Sequence, residues 1–394
     1  MEGILIDNIE IAEKAENIIS DIKNNIYQRL FWEKHVSLMG GSTGEILFLL
    51  GYHELTNQAE ALEKAITRME QIIEVIDFNF IGYSFAYGLS GIGWCIDLMY
   101  SNGYIDNCSD EIFQEADQLI FKMSIETLKN GNYDYLSGGL GAAFYFLNKT
   151  EAPITLIKEY IHIINCVKYK NGNKYYLYEN EFKQSCNLGL SHGIPSIISF
   201  LIYTYNKNIE QDLCLDLIRG FTNYILNMQN DITKSFTYFS YSSANPSHPT
   251  RLAWCYGDLS ISYILYSAAI VLNDNRVLDS ANEILHHTLK RNDLSKNMVI
   301  DTCLCHGTSG IASIYQRLFN KSNQESYKQA FSYWTNKTIE LSCYDLNLEG
   351  HLFYKTDRFI PMSGFLEGAS GVGLSLISGL KNIRLNWQDC LLLY

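Results

Sequence analysis

The chain has 394 residues, more than one ordinary hydrophobic core holds, so it is built from several domains or from one large repetitive domain. With 47% apolar and 19% charged residues it lies outside the disordered and collagen-like classes. A net charge of −13 at pH 7 argues against nucleic acid or an anionic membrane surface as the main partner.

Met1 to Asp7 carry no basic flank, apolar core or small-residue cleavage site, so no signal peptide is predicted. The most apolar stretches, residues 83 to 100 and 189 to 206, are interrupted by Asp97, His192 and several glycines and predict no membrane span. Without export, the ten cysteines read as reduced cytoplasmic thiols, most of them small buried hydrophobes.

Self-similarity organises the rest of the chain. A Gly-x-x-Gly or near variant begins at Gly41, Gly88, Gly138, Gly193, Gly257, Gly307 and Gly368, at intervals of 47, 50, 55, 64, 50 and 61 residues. The partner three residues on is Gly44, Gly91, Gly141, Gly310 or Gly371, and otherwise Ser196 or Ser260, so the position requires a small side chain. Small residues at i and i+3 share one helix face, where another backbone or a ligand can approach closely. Each pair opens an apolar stretch, such as Gly44 to Tyr52, Ser260 to Val271 or Gly310 to Phe319, as a buried helix would. Amphipathic stretches lie between them, among them Gln58 to Val75, Asp110 to Asn130 and Val277 to Arg291.

Each repeat therefore predicts a buried helix followed by an amphipathic one. Seven such pairs bury their apolar helices by closing into a ring, whereas a line leaves ends exposed. The expected fold is all-α, a seven-fold α/α toroid spanning residues 1–394 as a single domain, with a linear α-solenoid as the alternative. Two segments interrupt the pattern. Val167 to Tyr178 places Lys170, Asn171, Gly172 and Asn173 between runs rich in Tyr and Val and predicts a hairpin, and Phe236 to Pro249 is rich in serine and aromatics. Both are expected as surface excursions, within 148–186 and 229–250, able to serve as substrate-binding lobes.

The polar residues of interest stand just before the glycine pairs. Asp134 is four before Gly138, His192 one before Gly193, Arg251 six and Cys255 two before Gly257, and Cys305 and His306 two and one before Gly307. Equivalent points in a ring of repeats share one end of it, so these residues are expected to converge on one mouth. Cys255, Cys305 and His306 are of zinc-binding types, and three protein ligands with a fourth position open is the composition of a catalytic site. Taken singly, each cysteine reads as buried filler and each histidine as a structural residue; the shared phase is what sets the group apart. Cys303 lies off that phase and reads as packing, although the Cys-x-Cys-His stretch makes it the competing ligand. Glu367 shares the phase of His192 and His306 and either lines the mouth or caps a helix. The remaining cysteines, Cys108 among them, and the His286–His287 pair carry the structural reading.

The runs Trp254-Cys255-Tyr256-Gly257, Cys305-His306-Gly307-Thr308-Ser309-Gly310 and Ser191-His192-Gly193-Ile194-Pro195 resemble the motifs of the LanC-like lanthionine synthetases, the lantibiotic cyclases of bacteria, and the likeness spans nearly the whole chain. The resemblance implies an α/α toroid with one zinc held by Cys255, Cys305 and His306, and Asp134, His192, Arg251 and Tyr256 as the neighbouring catalytic set. It further implies cyclisation of a dehydrated lantibiotic precursor peptide, in which a cysteine thiol adds to dehydroalanine or dehydrobutyrine to form a thioether ring. On that chemistry zinc activates the thiol, His192 protonates the α-carbon, Asp134 orients His192, and Arg251 and Tyr256 donate to the developing enolate oxygen. A cytoplasmic location, and a complex with a dehydratase and a peptide exporter at the inner face of the membrane, follow from the same likeness. Two other classes compete. A toroidal glycosidase needs paired carboxylates, and Asp134 is the one clear acid of the set. A non-catalytic zinc module binding peptide or glutathione-like thiols leaves His192, Asp134 and Arg251 without a task.

Overall fold

The computed structural model describes residues 5–6, 8–31, 35–77, 81–106, 110–179, 184–246, 248–345 and 350–394. Cys108 lies outside the described residues. In chain order the elements are α1 (Ile9–Gln28), α2 (Ser42–Thr56), α3 (Ala59–Val75), α4 (Leu89–Ser101), α5 (Asp110–Lys129), α6 (Gly139–Asn148) and α7 (Ile154–Val167). A hairpin of β1 (Tyr169–Asn171) and β2 (Lys174–Tyr176) follows, then α8 (Ile194–Asn206), α9 (Gln211–Asn227), α10 (Asp258–Leu272), α11 (Asn275–Thr288), α12 (Thr308–Ser322) and α13 (Glu325–Leu341). The chain continues through an antiparallel sheet of β3 (Tyr344–Asp345), β4 (Gly350–Lys355) and β5 (Arg358–Pro361), and then α14 (Ala369–Leu380) and a 3-10 turn, Trp387–Leu391.

The seven marked glycines are the N-caps of α2, α4, α6, α8, α10, α12 and α14. These helices are buried nearly all round; α2 buries every residue from Ser42 to Tyr52. The helices between them bury only a stripe, in α3 Ala61, Ala65, Arg68, Met69 and Ile72, at the spacing that puts one face of a helix on a core.

Backbone sterics explain the glycines. Before six of these helices, all but α10, the chain folds back so that the carbonyl six residues ahead of the cap accepts the first helical amide. Ser42 N donates to His35 O at 2.7 Å, Ile194 N to Asn187 O at 3.1 Å and Thr308 N to Asp301 O at 3.1 Å. A Cβ on Gly41, Gly193 or Gly307 would collide with that turn. At the second small position the same thing recurs: a Cβ on Gly44, Gly141, Gly310 or Gly371 would strike the carbonyl of Leu38, Tyr135, Leu304 or Phe365. What approaches the i+3 position is thus the chain's own turn and not a ligand. Ser196 and Ser260 fit because their hydroxyls donate to the carbonyls of Gly193 and Gly257, at 2.7 and 3.3 Å.

The chain divides into two compact units, residues 1–82, 86–116 and 299–393, and residues 83–85, 117–298 and 394. Within the first, α14 packs on α12 and α2, α2 packs on α4, and α1 lies against α14. Residues two before each cap are joined by backbone hydrogen bonds: Cys305 N to Leu366 O at 3.0 Å, Leu366 N to Met39 O at 2.9 Å, and Met39 N to Ala86 O at 3.1 Å. The last repeat is therefore bonded to the first, which a linear solenoid does not allow, and α1 supplies α14 with its outer partner.

Within the second unit α8 packs on α6 and α10, with α7 against α6, α9 against α8 and α11 against α10. Ser191 N donates to Cys255 O at 3.3 Å, the same link at the same phase. Of the two expected excursions, the first is the outer helix α7 followed by the β1–β2 hairpin, with Gly172 at φ +61° in its turn. The second, around Phe236 to Pro249, is tied down by the buried carboxylate of Asp258. It accepts from Tyr238 N at 3.2 Å, Phe239 N at 3.0 Å and Arg291 at 3.0 Å, while Arg291 also donates to Thr250 O at 3.0 Å.

Because the fold-back turn leaves no room for a Cβ, Gly310→Ala should lower stability by about 3 kcal/mol in a urea titration, an overpacking cost at the upper end of the usual range. Gly82→Ala, where nothing lies within 4 Å, should leave the midpoint nearly unchanged. Equal midpoints for the two variants would contradict the steric account.

Candidate active site

The turns sort their side chains by position. Two before the cap, Met39, Ala86, Leu136, Ser191, Cys255 and Leu366 are buried; one before it, Tyr87, Ser137, His192, Tyr256, His306 and Glu367 are exposed or partly so. Cys305 departs from this rule, being partly exposed where its counterparts are buried.

In the second unit Asp134 and His192 form a pair. One carboxylate oxygen of Asp134 accepts from Leu136 N and Ser137 N, both at 2.8 Å, so its own turn holds it; the other meets His192 Nδ1 at 2.6 Å. An ionised carboxylate only accepts, so Nδ1 carries the proton and Nε2 is left as the working nitrogen. Burial disfavours the imidazolium, but the hydrogen bond and charge of Asp134, with smaller contributions from Cys255 and Glu179, outweigh it and raise the His192 pKa above its ordinary value.

Tyr256 stands beside the pair, its ring 6.0 Å from that of His192 and edge-on to Tyr241 at 5.2 Å. Its hydroxyl accepts from Asn187 Nδ2 at 2.9 Å, and its ring lies over Gly189, where a Cβ would come within 2.5 Å of it. Burial pushes its phenol up to about 12, which keeps it a protonated donor near neutrality. Cys255 is 6% exposed, and its carbonyl accepts from the backbone and hydroxyl of Ser191. Arg251 is partly exposed, and its carbonyl walls the turn at Gly257, the one cap with a positive φ, +102°.

Cys305 and His306 belong to the first unit, both partly exposed, in the turn before α12. Asp301, Cys303 and His306 offer donor atoms within 4.8 Å of one another. Both oxygens of Asp301 are already engaged, by Cys303 N at 3.1 Å and Tyr354 N at 3.0 Å. Cys303 is fully buried and burial pushes its thiol well up, so that corner is built as packing. Glu367 pairs with Lys355 at 3.2 Å on the wall of a cavity of about 730 Å³ that Tyr87 and Leu366 also line. Asn187, which holds Tyr256, is not among the residues the sequence motifs single out; its place six before Gly193, matching Asn132 and Asp301 in their turns, is the signal that marks it.

Comparison with known proteins gives a consistent result. The family described as lanthionine synthetase C-like protein matches residues 32–392. The nisin biosynthesis protein NisC of Lactococcus lactis subsp. lactis is 24% identical over 427 residues, covering 99% of this chain and 97% of that protein. The solved structure of nisin cyclase aligns with a TM-score of 0.76 at 20% identity over 98% of each chain, which establishes the fold as an α/α toroid. No helix among the described residues is long and apolar enough to cross a membrane.

The Asp134–His192 pair makes a pH prediction with a definite sign. Asp134→Asn removes the two largest contributions that raise the imidazole pKa and leaves burial, which lowers it, against only the smaller ones from Cys255 and Glu179, so the His192 ring proton should titrate at lower pH by NMR. In the wild type the pair's contribution to stability is present below the unfolded-state pKa and is lost as pH rises through the folded one; the variant should lack it. An unchanged His192 midpoint would show that Asp134 does not hold the imidazole in solution.

Proposed function

Because the chain belongs to the lanthionine synthetase C-like family, we propose that it is a zinc-dependent lanthionine-forming cyclase acting on a dehydrated lantibiotic precursor peptide. Cys255, Cys305 and His306 would hold one zinc ion. The donor set suits that metal, two thiols and an imidazole, and the partial exposure of Cys305 and His306 leaves an incoming thiol access. Bound there, zinc would supply the Lewis acidity that deprotonates a peptide thiol whose ordinary pKa is about 8.5. On this reading residues 1–394 act as a single catalytic domain.

The other residues manage charge and protons. As the peptide sulfur bonds to the β-carbon of dehydroalanine or dehydrobutyrine, the double-bond electrons move onto the amide oxygen. Tyr256 and Arg251 donate to that oxygen. His192, held by Asp134, gives a proton from Nε2 to the α-carbon, and the proton released by the thiol restores it through solvent, so the addition is balanced. The observation that carries this reading is the 2.6 Å Asp134–His192 contact beside Tyr256, a proton carrier at raised pKa next to a phenol donor. A protein that only binds thiols has no use for it. A dehydratase must supply the unsaturated residues, and an exporter to consume the product completes a cytoplasmic complex in which this chain acts.

The test is to incubate purified protein with a dehydrated precursor and count the cysteines still open to alkylation after denaturation. Wild-type protein should consume them. His192→Ala should keep its zinc and slow ring formation by ~10² to 10⁴. Cys255→Ala and Cys305→Ala should lose zinc while Cys303→Ala retains it. Full zinc in both of the first two variants, or no thiol consumed by the wild type, would overturn the proposal.

A further inference from the structure

We propose that Asn187 is a positioning residue that fixes Tyr256 as a hydrogen-bond donor to substrate, an inference that rests on the reading of Tyr256 as a donor to the enolate oxygen. Asn187 begins its turn as Asn132 and Asp301 begin theirs, six residues before the cap. Each accepts on a side-chain oxygen from the amide two residues on: Asn132 from Asp134 N at 3.2 Å, Asn187 from Gly189 N at 2.9 Å, Asp301 from Cys303 N at 3.1 Å. That shared bond shapes the turn, and aspartate makes it as well as asparagine does.

Asn187 adds something the others do not. Gly189 N–H can only donate, so Oδ1 must face it, and the group facing the Tyr256 hydroxyl at 2.9 Å is therefore Nδ2. Nδ2 in turn can only donate. The phenol oxygen accepts, and its own proton has to point elsewhere; among the described residues no side chain or carbonyl takes it. Asn187 is 6% exposed, which keeps solvent from competing for the contact. The ring cannot swing away, because Gly189 lies beneath it and Tyr241 meets its edge. The phenol proton is thus left for an acceptor that arrives with substrate, beside the His192 imidazole. An aspartate at 187 would keep the turn and take that proton.

Turn-building and donor-fixing roles predict opposite orders for two variants. Asn187→Asp keeps the bond to Gly189 and captures the phenol proton; Asn187→Ala loses the bond and captures nothing. With the dehydrated peptide as substrate, Asn187→Asp should lower kcat by about 10²-fold, as expected for losing one oxyanion donor, with KM and bound zinc unchanged. Asn187→Ala should lose less. Adding Asn187→Asp to Tyr256→Phe should cause no further loss. If Asn187→Asp loses zinc or melts early, Asn187→Ala in the Tyr256→Phe background decides: a non-additive loss upholds the inference and an additive loss overturns it. Alanine falling below aspartate, or a near-normal kcat for Asn187→Asp beside an impaired Tyr256→Phe, would also overturn it. A fully active Tyr256→Phe would remove the donor reading itself and this inference with it.

Discussion

The structure depends on one backbone device, the turn in which the chain folds back ahead of the buried helices and, in all but α10, hands the carbonyl six residues before the cap to the first helical amide. That turn leaves no room for a Cβ at caps such as Gly41, Gly193 and Gly307, nor three residues later at Gly44, Gly141, Gly310 and Gly371, while Ser196 and Ser260 are the largest side chains that phase holds. It also alternates its side chains, burying the residue two before the cap, Cys305 excepted, and leaving the one after it at least partly exposed. The positions two before the cap are stitched to their neighbours through backbone hydrogen bonds, from Cys305 through Leu366 and Met39 to Ala86, and from Ser191 to Cys255. Chemistry is placed on this frame by choosing side chains at fixed phases: thiols two before the cap, imidazoles and a phenol one before it.

A second constraint shapes the turn that carries Arg251, Cys255 and Tyr256. Asp258 and Arg291 form a buried ion pair, and desolvating such charges costs several kcal/mol each unless every polar atom is matched. Here the matching is supplied by the loop they secure, through the amides of Tyr238 and Phe239 and the carbonyl of Thr250, with Asn297 accepting from Arg291 Nε at 2.8 Å. Asn297 also accepts Leu252 N through its carbonyl at 3.2 Å, so the ion pair fixes the strand of chain entering the site.

The parts legible in the sequence are those imposed by local sterics and periodicity. Six of the seven caps, all but Gly88, follow from a clash that only glycine avoids, and α3 and α11 follow from apolar spacing; Asn171 and Gly172 mark the β1–β2 hairpin. The β3–β5 sheet carries no such mark, because its β4–β5 turn places Thr356 and Asp357 at φ +52° and +64° without a glycine to signal it. Asn187 is hidden for a different reason. Its partner Tyr256 is 69 residues away, and a contact of that separation is set by packing rather than by any local pattern. The excursion around Phe236 to Pro249 is legible in place but not in shape, since its anchors Asp258 and Arg291 also lie outside it.

The central claim is that ring closure and α-carbon protonation take place in one site, with His192 delivering the proton to one face of the substrate. Running the cyclisation in D₂O tests this directly, because each ring then records the source and the face of its new α-hydrogen. The account predicts one deuterium at the α-carbon of every ring made by wild-type protein, in a single configuration, and mixed configurations from the slow residual reaction of His192→Ala. Mixed configurations from the wild type, matching those formed without protein, would contradict it.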